Sequence, residues 1–179
     1  MNTTKLLALF NKEIKVWLTD LESMDEALLF VNPNESSWSL AEVYDHIMRV
    51  AREYQIPNMK KSLTANAERK KGKNKYGIAV FNLGIRKDIK MKMESFPQPL
   101  VTAFTPQKRR KEDLLQDFRV FIEEINDLVP LLLQSTKKDK QYHPMFGDIN
   151  TKEWFALIEL HIWQHKKQKK SILSFLNEN

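Results

Sequence analysis

A chain of 179 residues suits a single domain, residues 1–179, with a core large enough to need no covalent staples. It contains no cysteine, which excludes disulfides, thiolate metal ligands and a cysteine nucleophile, fits a cytoplasmic location, and obliges any metal to use nitrogen and oxygen ligands. The net charge of +6 is uneven: between Arg52 and Lys111 sixteen lysines and arginines face four acids, so the remainder of the chain is net acidic.

From Leu7 the apolar positions Leu7, Phe10, Ile14, Trp17, Leu21 and Met24 step by three and four, which places one stripe on one helix face. This predicts a first helix ending before Asn32-Pro33-Asn34. The run Leu6 to Phe10, flanked by Lys5 and by Lys12, Glu13 and Lys15, is too short for a signal sequence or a membrane span, so a soluble, unexported protein is expected. Ser39 with Glu42 forms a capping-box pattern, and Trp38 with Val43 occupies the positions of a hydrophobic staple. A second helix follows through Val43, His46, Val50 and Tyr54.

Between the second and third helices lie about forty residues containing Gly72, Gly77, Gly84, Pro97, Pro99 and Pro106. That length exceeds a tight turn and suits a crossover joining parallel helices, with short helical or extended pieces around Ile78 to Met93. A third periodic run, Leu114, Phe118, Phe121, Ile125, Leu128 and Leu132, is expected to kink or stop near Val129, because Pro130 lacks an N–H and clashes with the preceding turn. A fourth helix starts near Asn150, an N-cap with Glu153 three residues on. It carries Trp154, Ile158, His161, His165, Gln168, Ile172 and Phe175 on one stripe. The pattern as a whole is all-α: a four-helix bundle with a long crossover between helices 2 and 3.

Two histidines four apart on a helix face the same way with Cβ atoms about 5–6 Å apart, from which their nitrogens can converge on one ion at about 2.0–2.1 Å. His161 and His165 are such a pair, and His46 lies on the inward stripe of another helix. Three protein ligands would leave a position for water or substrate, and a metal held so can lower the pKa of bound water or activate a thiolate or carbonyl. The same spacing also occurs as surface coincidence or as satisfied core side chains. Burial weighs against the latter, because imidazoles in a leucine-rich core need hydrogen-bond partners.

The segment His143-Pro144-Met145-Phe146-Gly147-Asp148, then Glu153-Trp154 and His161-x3-His165-x2-Gln168, together with Trp38-Ser39-Leu40-Ala41-Glu42-Val43-x2-His46, resembles the DinB/YfiT-like superfamily of metal-dependent enzymes over nearly the whole chain. The resemblance implies a four-helix bundle with a crossover, frequent homodimers, and a divalent ion, zinc or nickel, held by His46, His161 and His165. It further implies chemistry of the thiol-transferase or hydrolase type on a small-molecule substrate, possible low-molecular-weight thiols included. The alternative is a non-catalytic metal-binding stress or interaction protein.

Around that set, Gln168 reads as a hydrogen-bond partner to a ligand imidazole or as a polar interruption of the core. His143, before a proline, is expected to shape the entry to the fourth helix, and Glu42 to cap the second helix rather than act as a base. Trp17, Trp38 and Trp154 are expected in the core, whereas Trp163, off the stripe, suits a subunit interface. The basic middle lacks a nucleic-acid motif and has only Tyr76 and Phe81 as interleaved aromatics, so it reads as solvated surface without a nucleic-acid partner.

Overall fold

The computed structural model describes residues 2–64, 71–85 and 97–178. Part of the expected crossover, including Arg69, Lys70 and the stretch from Arg86 to Met93, lies outside the described residues. Helix α1 spans Thr3–Ser23, with the Asn2 side chain accepting from the Lys5 N–H at its start. The expected single first helix is in fact two: Asp25 accepts from the Ala27 N–H at 2.7 Å and begins a separate short helix, α2 (Glu26–Leu29). An aspartate that can bond the backbone two residues ahead stabilises a new start over continuation.

Helix α3 (Leu40–Val50) opens on the complete Ser39/Glu42 capping box. It runs through one π-helical turn, Ala51–Gln55, into α4 (Ile56–Thr64), so the second bundle helix extends well beyond Tyr54. In the π turn the Ile56 N–H bonds to Ala51 O, five residues back. Pro57 explains the placement, since it has no N–H to donate and its ring crowds the preceding turn; opening that turn lets the helix pass the proline. Buried positions run His46, Val50, Ala51, Gln55, Met59 and Ser62, and Tyr54, on the expected stripe, is partly buried and packs on Phe104, His143 and Trp154.

Short helices α5 (Lys75–Phe81) and α6 (Gln98–Phe104) follow. Helix α7 (Lys111–Asn126) ends three residues short of Val129, and α8 (Val129–Gln134) then resumes with Pro130 in its first turn, where a missing N–H costs nothing. A hairpin unforeseen in the sequence, β1 (Lys140–His143) and β2 (Gly147–Asn150), leads into α9 (Thr151–Glu178), with His143 opposite Gly147. Gly147 has φ +76°, and a Cβ there would lie 2.7 Å from Gly72 O, so only glycine lets the segment Gly72–Asn74 lie against the hairpin.

Ion pairs and hydrogen bonds give the directions of the four long elements. Asp45 meets Arg109 and the Gln107 N–H, while Arg52 meets Asp117 and Glu124, so α3 and α7 ascend together as the crossover requires. Glu13 pairs with Lys166 and Asp20 with Lys169, making α1 and α9 parallel. His46 lies by His161 and His165, Gln55 by Leu157, and Ser62 by Thr151, so α3–α4 and α9 are antiparallel. Phe10, Trp17, Tyr44, Phe118, Phe121, Trp154 and Phe155 fill the core between them, and full burial of one such side chain contributes about 1.5–3 kcal/mol. No helix of the described residues is long and apolar enough to cross a membrane.

Candidate metal centre

Capping sets the centre's geometry from both helices. Ser39 and Glu42 fix the first turn of α3, and His46 follows one turn on; Asn150 and Glu153 bond reciprocally at 2.8 and 3.1 Å to start α9, which presents His161 and His165. The three imidazoles meet where these helices pack. Ring centroids stand 5.2 Å (His46–His161), 5.0 Å (His46–His165) and 4.6 Å (His161–His165) apart, and the potential ligand nitrogens all lie within 4.8 Å of one another. Among the described residues this is the one such cluster of histidine, aspartate and glutamate side chains.

Two rings are held by their far nitrogens. His46 Nδ1 donates to Phe104 O at 2.8 Å. That carbonyl ends α6, where the last turn has no intrahelical partner for it. His165 Nδ1 donates to Gln168 Oε1, also at 2.8 Å. Protonation at Nδ1 leaves a lone pair on each Nε2. The facing Nε2 atoms of His161 and His165 lie 3.0 Å apart, close to the ~2.9–3.3 Å edge expected between nitrogens bound at ~2.0–2.1 Å to a common ion.

The surroundings keep the rings neutral. Burial, reinforced by the neighbouring His165, pushes His46 down to about 4; burial with His165 and His46 drives His161 well below its usual range; burial lowers His165 against the opposing bond to Gln168. Neutral imidazole is the form that binds a metal. The buried His161 Nδ1 has no hydrogen-bond partner, a cost a core would not ordinarily carry. Nitrogen donors, inward lone pairs and anchored far nitrogens together fit a divalent ion. Trp38 covers one side, its ring centred 4.6 Å from that of His46, while His161 and His165 remain partly exposed. The expectation of Trp38 as core filler is thereby refined: it is half-buried and packs on a site residue.

The remaining candidates fall outside the cluster. His143 is buried at the hairpin, its Nδ1 accepting from the Met145 N–H at 3.1 Å and its ring set among Tyr54, Phe146 and Trp154. Glu42 accepts from Ser39 N–H, Ser39 Oγ and Asn32 Nδ2 at 2.8–2.9 Å; burial works to raise its pKa, and these bonds hold it below the ordinary value, so it is committed to the cap. Trp163 is partly buried against the core of its own chain. Sequence reasoning missed the Phe104 carbonyl, which has no side-chain signature, and Lys169, buried over the Trp17 ring at 4.3 Å and paired with Asp20.

Comparison with known proteins places this arrangement in context. A solved structure described as TT2238, a four-helix bundle protein, superposes with a TM-score of 0.53 at 16% identity, covering 95% of this chain and 99% of that one; at such identity the likeness concerns the fold alone. No functionally curated protein matches. The model of the DinB superfamily matches residues 9–168, which takes in the caps, the crossover and all three clustered histidines, and the chain therefore belongs to the DinB superfamily.

Proposed function

We propose that the protein is a metal-dependent enzyme that activates a thiol or a water toward a small-molecule substrate, as a thiol transferase or hydrolase, with zinc or nickel at His46, His161 and His165. The observation that carries this reading is the set of neutral imidazoles whose nitrogens converge while Phe104 O and Gln168 Oε1 tie two rings from behind. A bound divalent ion would supply Lewis acidity toward a thiol, water or carbonyl oxygen. The chain's own part is to hold the imidazoles in the tautomer with Nε2 bare, to exclude water with Trp38 on one side, and to leave the partly exposed side of His161 and His165 open to a small substrate. A homodimer and a cytoplasmic location belong to the same reading.

A second reading, a non-catalytic metal-binding stress or interaction protein, is favoured by one observation. The nearby carboxylates are engaged: Glu42 is occupied by its cap, and Asp45 by Arg49, Arg109 and the Gln107 N–H. Elemental analysis of tag-free protein purified without a metal column tests the site, with about one ion per chain expected. Screens of the loaded protein with thiols plus electrophiles, and with amides and esters, then separate the readings. Turnover lost in His161→Ala supports the enzyme; a full complement of metal with no turnover in any screen supports the second.

A further inference from the structure

Two buried side-chain polar atoms among the described residues lack a hydrogen-bond partner, and they are complementary: His161 Nδ1 can carry a proton to donate, and Gln55 Oε1 can only accept. Gln55, 5% exposed, donates through Nε2 to Leu157 O at 3.2 Å. That bond fixes the amide, because the flipped orientation would set oxygen against oxygen. Leu157 lies one helical turn before His161, on the same side of α9. Side chains lean toward the N-terminus of their own helix, and α3–α4 runs antiparallel to α9, so Gln55 leans toward the level of His46 and His161 toward that of Leu157, each toward the level of the other.

We infer that Gln55 is the positioning residue for His161, its Oε1 accepting the Nδ1 proton across one bridging water and so turning His161 Nε2 toward the ion. This assignment rests on the metal-site reading. It makes the three rings equivalent: Phe104 O holds His46, Gln168 Oε1 holds His165, and Gln55 Oε1 holds His161. It also gives the π turn a role. Gln55 closes that turn as a buried amide, and π turns recur at functional sites.

The test compares wild type with Gln55→Leu, which keeps the volume and removes the acceptor, and Gln55→Glu, which restores an acceptor. Zinc affinity is read by competition with a chromogenic chelator, and the histidine tautomers by long-range nitrogen–proton correlation with and without zinc. Expected is a loss of about 10-fold or more in zinc affinity for Gln55→Leu, recovery in Gln55→Glu, and a slowly exchanging His161 Nδ1 proton in wild type that Gln55→Leu loses. A merely structural role would lower the melting temperature of both variants without moving that proton. Wild-type affinity in Gln55→Leu, or an unchanged His161 proton, overturns the assignment. If wild type takes up no zinc, the metal reading fails, and the Gln55 assignment is decided by the His161 proton in the metal-free protein.

Discussion

Both ends of the bundle bury histidine, and the two ends use it differently. At the hairpin end His143 stands alone among aromatic rings, and its Nδ1 accepts from the backbone of its own turn. At the other end three imidazoles point nitrogens at one another, and two of them, His46 and His165, are held by acceptors behind them. Burial lowers the proton affinity in both places, to about 4 for His143 and for His46 alike. A depressed pKa therefore does not mark a site here; convergence of lone pairs does.

The sharpest way to break this contrast is removal of a ring from each end. His161→Ala is expected to abolish metal uptake, from about one ion per chain to none by elemental analysis, whereas His143→Ala should retain the full complement. Retention of metal in His161→Ala would erase the distinction. The next effect is acid sensitivity of the metal-free protein. His143 ionises near 4 when folded and near 6.5 when unfolded, so between these values the unfolded chain binds more protons. Its contribution is intact above about pH 6.5 and is lost as pH falls toward 4, at most about 3 kcal/mol for one imidazole. Denaturant titrations across that window should show His143→Leu with a shallower decline than wild type, and equal slopes would count against it.

Effects of similar or lesser size refine the comparison. His143→Ala should itself lower stability by about 2–4 kcal/mol through the cavity left between Phe146 and Trp154, measured by urea unfolding at pH 7.5. Gln168→Leu should weaken zinc binding about 10-fold with little change in the metal-free melting temperature. Ser39→Ala should cost about 1 kcal/mol by removing the cap of α3, while leaving metal stoichiometry untouched.

The bundle was legible where one helix carries its own instructions. The stripes of α1, α7 and α9, the Ser39/Glu42 and Asn150/Glu153 caps, and the break at Pro130 are local signals, and the structure follows them. The clustering of His46 with His161 and His165 follows from the same stripes. What stayed hidden depends on partners distant in sequence or on one extra residue. The π turn Ala51–Gln55 inserts a residue into the second helix, which a period of 3.6 does not anticipate. The hairpin strands are four residues each, too short for alternation to stand out, and owe their place to Gly147 lying against Gly72–Asn74. The acceptor for His46 is a backbone carbonyl, which any residue at position 104 would supply.

The crossover is fastened at both of its ends. Gly72 and Asp148 exchange hydrogen bonds, and Lys73 pairs with Glu153 at 2.5 Å, at the base of the helix bearing His161 and His165; the Gln107 N–H and Arg109 are held by Asp45, one residue from His46. Clamps placed so tie the described ends of the crossover to both of the helices that carry the imidazoles. Between them Phe104 is buried in α6 and its carbonyl holds His46, so the fastening that anchors the crossover also orients one of the three rings.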